Sequence, residues 1–544
     1  MRKELAFETE LECDLSEKKF KIVFESLNNP DNDAYIKANV WNIISTVCLT
    51  VKTKELVQDE NELDICKKIL LNLVDRGNPK EVIVALMEDA DSFKNHFHFC
   101  LLLDPLKLAL EKVPGKRGRS LEWVLSTLNA HIQTLPLPRD LDLEGEELLL
   151  LDTDPAVIDT NYILKNYLQF VDAFVNEVSF EAVRVMEDYY TDRIEHQQEI
   201  LQKYILILFD HPLLYHDLHV VDDTKPKSTI RTLCESYVKS LSKICGNVFN
   251  LFKFDSSFIR KKAESDDSDV VPILAFSNLA YLMFVENIAI DFQPFVYNHK
   301  YVFMTILKYI IPFLSKQENL VLFKSLHLAK ILLDRLDPFE ISYNYVEMEG
   351  FTKFSELLLS VAILSSFNRH RKMAIDVFKS YIDKCDWKGR YHLINQVLCT
   401  AGDSGAEGFV IDMYKSYLNE LLQEKVTDHY FLGKNLKLFL KKIFTIKDGV
   451  ETDLLQDRDR IIASLNFLRY LVIRDKTLVQ DFIDDIKGKF LDPMVKGLDI
   501  SKAHFKLEAE NTKKTRSVYK EAFESALLNL DLMGSILYRV IELI

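Results

Sequence analysis

Glycine and proline are scarce in this chain. They number 15 and 14 among 544 residues, well under their usual shares of ~7% and ~5%. Sheet-rich folds use both residues at their many turns, so the scarcity excludes a strand-and-turn architecture and points to long helices with short connections. Long apolar runs are missing too. No stretch approaches the ~18 consecutive apolar residues of a membrane span, the N-terminal MRKELAFETELECDLSEKK lacks the apolar core of a signal peptide, and the terminal RVIELI carries no lipidation signal. Cysteines occur at Cys13, Cys48, Cys66, Cys100, Cys234, Cys245, Cys385 and Cys399, but no two form a C-x-x-C pair. Several lie in apolar runs such as STVCLT and NQVLCT, which reads as buried free thiols in a reducing compartment. Positive charge is short as well: the net charge is −15 and the pI about 5.5. Non-specific nucleic-acid binding needs a basic stripe that displaces counterions, and anionic membrane surfaces are disfavoured on the same ground. The expectation is a cytoplasmic protein with no nucleic-acid partner and no membrane insertion.

What the chain does have is apolar residues, 48% of the total, in helical periodicity from end to end. Short breakers punctuate it: GNPKEV (77–82), a Pro-Gly-Lys-Arg-Gly turn after LLLDPLKLALEK, the acidic LPLPRDLDLEGEE (135–147), the charged KKAESDDSDVVP (261–272) and TAGDSGAEGF (400–409). Neither Asn-Gly hairpins nor alternating strand patterns stand out. Apolar helices pair at roughly 35 to 45 residues, near the spacing of HEAT and armadillo units. These features predict an all-α, irregular HEAT/armadillo-like helical-repeat α-solenoid. The breakers divide it into N-terminal repeats (1–260), central repeats (271–400) and C-terminal repeats (401–544).

No catalytic constellation emerges from the residues. DHPLLYHDLHVVDD (210–223) is the best metal candidate, with His216 and His219 at i, i+3 beside Asp217, Asp222 and Asp223. His-Asp phosphohydrolase chemistry would need a further His and a distant Asp, and only His196 is on offer. In HFHFC (96–100), His96 and His98 fall on different sides of a helix. DLDLEGEELLLL (140–151) begins like a calcium loop but ends in Leu151 where a bidentate Glu is required. GDSG (402–405) lacks the context of a nucleophilic serine; Ser404 reads as a helix N-cap, with Glu407 closing a capping box. GKRGR (115–119) lacks phosphate-loop spacing. The residues therefore point to a non-enzyme without cofactor or metal.

The stretch ETDLLQDRDRIIASLNFLRYLVIRD (451–475) is different. Read as one helix, it has a core stripe of Leu454, Ile461, Leu465, Leu468 and Val472. Its opposite side gathers Phe467 and Tyr470 with Arg460 and Arg474. That side either packs on the next repeat or faces a partner.

The same stretch, followed by GLDISKAHF (497–505), resembles the C-terminal region of the glomulin family. The resemblance continues collinearly upstream in NLAYLMFVENIAID (278–291), LSTLNAHIQTLPLP (125–138), LLLDPL (101–106), NPKEVIVALME (78–88) and VWNII (40–44). It implies irregular HEAT-like repeats whose C-terminal part, here 401–544, binds the RING subunit of cullin–RING ubiquitin ligases. Such binding covers the RING surface that recruits the ubiquitin-conjugating enzyme, so ubiquitin transfer is inhibited, and any zinc belongs to the partner. DHYFLG (428–433) resembles a family contact segment, with Tyr430 where a Trp is expected and the preceding basic residues thinned to Lys425. The partner-binding residues so implied are Lys425, Tyr430, Phe431, Arg460, Tyr470, Arg474, Lys502 and His504. The alternative is a general α-solenoid scaffold for receptor, immunophilin or transport complexes; the resemblance links the family to an immunophilin and a receptor kinase through other repeats.

Overall fold

Apolar stripes at helical spacing, with little glycine or proline to break them, dictate helices. In a computed structural model they form throughout. The structure describes residues 7–544 except 8, 12, 16, 18, 54–59, 91–95, 114–116, 140–142, 144, 181–190, 219–226, 254–270, 289, 294–295, 425–428, 447 and 514–519. Among the described residues there is no strand, only an isolated parallel bridge between Ile341 and Cys385. The chain is all-α, as the composition required, and its helices are stacked as repeats. It forms two compact units, Met1–Ile331 and Leu332–Ile544.

The first unit holds α1 (Phe20–Leu27), α2 (Asp33–Thr53), α3 (Glu60–Arg76), α4 (Pro79–Ala90), α5 (His96–Glu111), α6 (Arg117–Ile132), α7 (Pro155–Glu177), α8 (Thr191–Leu208), α9 (Thr229–Cys245), α10 (Ile273–Phe284) and α11 (His299–Leu314). The division between units falls within α12 (Asn319–Asp334). Helices two apart in the chain pack together. One layer runs α1–α3–α5–α7–α9 and the other α2–α4–α6–α8–α10. This alternation is the physical meaning of a helical repeat: each hairpin buries its stripe against the hairpin before and after it. It also explains why whole helices are nearly all apolar, as in α10, where every residue from Ala275 to Phe284 is buried.

The second unit contains α13 (Glu349–Leu364), α14 (Asn368–Lys384), α15 (Trp387–Thr400), α16 (Ser404–Gln423), α17 (Gly433–Ile443), α18 (Arg458–Arg474), α19 (Asp492–Lys513) and α20 (Lys520–Leu543). Here α16 packs on α18, and α18 on α20. The helix expected over 451–475 begins only at Arg458. Asp453 explains the delay: its carboxylate accepts the N–H groups of Leu455 and Gln456 at 3.0 and 3.1 Å, a local turn that competes with helix. Leu454 is nonetheless buried.

The start of α16 also differs from the sequence expectation. Asp403, not Ser404, is the N-cap, accepting the Ala406 N–H at 2.8 Å. Ser404 is used across the helix interface instead: its Oγ accepts the Arg460 N–H at 3.0 Å. Glu407 meets Arg460 Nε at 3.0 Å in a nearly dry ion pair. Gly408 lets the two helices touch, since a Cβ there would sit 2.9 Å from the Asp459 carbonyl oxygen.

Candidate functional site

The segment around Tyr430 is built onto the corner between α14 and α15. The chain at 337–347 is stitched to that corner: Ile341 donates its N–H to the Lys384 carbonyl at 2.9 Å, and Asp386 donates to the Ile341 carbonyl at 2.8 Å. Asp386 then uses both carboxylate oxygens on backbone, accepting Gly389 N–H at 2.7 Å as N-cap of α15 and Tyr343 N–H at 2.8 Å. Beneath lies Arg390, buried, donating to the Cys385 and Asp383 carbonyls at 2.9 and 2.6 Å. Its guanidinium is faced by Phe339, Trp387 and Tyr417 with centroids 4.2, 4.7 and 4.9 Å away. Phe339 is held at φ +63, a left-handed conformation unfavourable for a bulky side chain. The strain leaves its ring exposed beside Trp387, 5.4 Å between centroids.

The loop at 429–432 closes over this base. Phe431 is fully buried and rings itself with Trp387, Tyr391, Tyr414 and Tyr417. Its carbonyl accepts the Tyr414 hydroxyl at 2.9 Å, and the Tyr430 carbonyl accepts Asn435 Nδ2 at 2.9 Å. Gly433, at φ +58, turns the chain into α17. Tyr430 is half-buried, edge-on to Tyr391 at 5.1 Å, with its hydroxyl 3.0 Å from His392 Nε2. Burial, and then Lys388, lower the His392 pKa below its ordinary 6.5, which favours the neutral ring. An open cleft of about 690 Å³ results, bounded by Trp387, Lys388, His429, Tyr430, Leu432 and Lys434. From it leads α17, whose sequence GKNLKLFLKKI has four lysines and no acid. The cleft thus sets aromatic faces beside lysine side chains.

The structure separates the residues picked out from the sequence. Tyr430 lies in the cleft, whereas Phe431 is core: the segment is pinned from below by its ring, so it cannot offer that ring to a partner. Arg460 is also turned inward, its side chain only 11% exposed and paired with Glu407. Phe467 is fully buried, packed against Tyr414 and Phe439, and so belongs to the helix interface. Tyr470 sits at the edge of that interface, bonded to Asn419 Oδ1 at 3.0 Å. Arg474 and His504 are exposed on α18 and α19. Lys502 reaches across to Asp531 of α20 at 2.7 Å. Lys425 lies outside the described residues.

Sequence reasoning missed Trp387, Lys388 and His429, although Trp387 is one of only three tryptophans. It also missed the exposed apolar side chains of the last two helices: Ile500, Leu507, Leu528, Leu532 and Tyr538. The available signal was α20 itself, SALLNLDLMGSILYRVIEL, which is apolar on more faces than one core contact uses.

The structure describes only part of the metal candidate. His216 is buried, its Nδ1 2.9 Å from the Pro212 carbonyl. The carbonyls of Leu214 and His216 receive the ammonium of Lys324, itself buried, at 2.7 and 2.8 Å. His219, Asp222 and Asp223 lie outside the described residues, and among the described residues no group of three or more His, Cys, Asp or Glu is placed to hold a metal. No described helix is long and apolar enough to cross a membrane.

The family model described as "Uncharacterised protein family, YAP/Alf4/glomulin" matches residues 3–535. The chain belongs to this family. It is 29% identical to glomulin of Mus musculus over 563 residues, an alignment that spans 96% of this chain and 90% of that relative. Similarity to glomulin of Homo sapiens is of the same order, 29% over 560 residues with the same coverage. Family membership extends over both compact units, so the Tyr430 cleft and the stacked helices beneath it lie within the matched region.

Proposed function

We propose that this protein is a non-enzymatic regulator acting in the cytoplasm. It binds the RING subunit of cullin–RING ubiquitin ligases through residues 401–544 and the adjoining α14–α15 corner. It masks the surface used by the ubiquitin-conjugating enzyme and so inhibits ubiquitin transfer. The observation that carries the reading is the aromatic and basic cleft around Tyr430, in the segment that resembles the family's contact region. Interfaces concentrate their energy in aromatic and Arg side chains placed in pockets, and this cleft is aromatic, preorganised by Arg390 and open. Arg474, Lys502, His504 and the exposed apolar side chains of α19 and α20 supply further contact surface. Lys425 stands beside Tyr430 in sequence and belongs to the same proposed surface.

The test is reconstitution. Purified protein added at stoichiometric ratio to a neddylated cullin–RING ligase should slow substrate ubiquitination. Unchanged chain formation together with no measurable RING binding would sink the reading. The remaining alternative is a scaffold for receptor, immunophilin or transport complexes. Its distinguishing result is that partner capture persists in full when the Tyr430 cleft is disrupted.

A further inference from the structure

Helix α20 carries two seams. Ala526, Leu530, Met533, Leu537 and Val540 are buried on the side that packs on α18 and α19. They recur at alternating steps of four and three residues, the spacing of a coiled-coil core. Ser525, Leu528, Leu532, Ser535 and Arg539 recur in the same way on the other side, and all five are exposed. Leu528 and Leu532, at the centre of this second seam, are 71% and 51% exposed. A helix side that only met water would be polar along its length. This one is apolar in the middle, with a small serine on either side of the leucines.

The order of these residues is symmetrical, and that restricts what can cover them. Outward from position 530, a leucine and then a serine follow in both directions: Leu528 and Ser525 one way, Leu532 and Ser535 the other. Two copies of α20 laid antiparallel about that position set Leu528 of each against Leu532 of the other, and Ser525 against Ser535. The same register brings Arg539 to the turn that carries Glu524. Serines let the helices approach closely. Ser535 already donates its hydroxyl to the Leu532 carbonyl at 2.9 Å, so it brings no unmet donor into the contact. Asp531 stands next to the axis, but Lys502 of α19 accompanies it at 2.7 Å, so each copy brings anion and cation together. A parallel pair would instead set Glu524 on Glu524 and Arg539 on Arg539, like charge against like.

We propose that two copies of this chain pair through their α20 helices, antiparallel, along this second seam. A helix of 24 residues is ~36 Å long and ~10 Å wide, so the contact covers roughly 700 Å² over both copies. That area lies at the transient end of protein interfaces, and the dimer is accordingly weak and reversible. It uses side chains that the RING reading counts as further contact surface, so a paired copy withholds them from a RING. The pairing itself does not rest on that reading.

Sedimentation velocity of the full chain, with no ligase component present, tests the pairing. The average mass should rise from monomer toward dimer as the concentration is raised from the micromolar to the submillimolar range. Leu528→Asp combined with Leu532→Asp alters only exposed positions, so circular dichroism should be unchanged while the dimer weakens about tenfold or more. Orientation is read by crosslinking. Ser525→Cys and Ser535→Cys, oxidised as a mixture, should join to each other. Ser525→Cys alone should crosslink no more than the parent chain, whose Cys13 and Cys399 are exposed. A chain that stays monomeric throughout, a dimer that survives the paired leucine substitutions, or Ser525→Cys joined to itself overturns the proposal. So does a monomer whose RING binding is lost with the same leucine substitutions, which would assign the seam to the RING instead.

Discussion

Tyr430 and Phe431 are neighbours in one segment, yet they do opposite things. The sequence placed both on a surface because the connection 425–432 has little helical stripe of its own, and in such a stretch nothing local tells which ring points inward. The decision is made by distant residues: Tyr414, Tyr417 and Trp387 enclose Phe431, while Tyr430 is left with Tyr391 and the His392 bond. A measurable contrast follows. Phe431→Ala should cost about 3–5 kcal/mol of stability, the range for a buried aromatic truncated to a cavity. Tyr430→Ala loses a hydrogen bond worth about 1 kcal/mol and some edge contact, so its denaturation midpoint should fall far less. Its RING affinity should drop about 30-fold, the equivalent of about 2 kcal/mol. Denaturant titrations of both variants beside RING binding of Tyr430→Ala check this; equal destabilisation by the two would make Tyr430 a core residue.

Among the elements, the helices themselves were legible, because a 3.6-residue apolar period over 15 or more residues has no competing reading. Their ends and second faces were not. The side of α18 bearing Phe467, Tyr470 and Arg460 was open to two readings, and the structure gives most of it to α16. Phe467 meets Tyr414, and Arg460 meets Glu407. A capping box read locally at Ser404 failed because that hydroxyl serves the backbone of α18 instead. Gly408 marks how close this contact is. Replacing it by Ala should gain about 1 kcal/mol of helix propensity, but the added Cβ would lie 2.9 Å from Asp459 O and 3.0 Å from Asp459 C. Backbone at a helix start cannot rotate aside as a side chain can, and overpacking of this kind costs about 1–3 kcal/mol. Gly408→Ala should therefore be neutral to destabilising by up to about 2 kcal/mol. A raised urea midpoint would show that the two helices separate freely.

At the scale of the molecule, the fold class was readable from what the chain lacks. The breakers at 261–272 and 400–409 suggest three blocks of repeats; the split into two compact units falls at 331/332 inside a continuous helix, where no composition shift marks the place. The buried polar groups were not visible in the sequence, since a histidine or lysine read by itself counts as solvated. They set an acid response of the whole Met1–Ile331 unit. Burial lowers the His216 pKa to about 4, against about 6.5 in an unfolded chain. A depressed folded pKa means that the unfolded state takes up the proton first. The stabilisation is therefore complete above about pH 6.5 and is lost as pH falls toward 4, amounting to about 3 kcal/mol for this one group. His131 and His211 are lowered by burial as well and push in the same direction. Asp210 opposes them, because burial raises its pKa. Lys324, lowered to about 8, is protonated in both states throughout this window and contributes no slope. Urea midpoints should thus fall between pH 7 and pH 4.5. His216→Asn, whose Nδ2 stands where His216 Nδ1 meets the Pro212 carbonyl but cannot charge, should be less stable at pH 7 and flatter across the range. An equally steep decline in that variant would place the acid sensitivity elsewhere in the molecule.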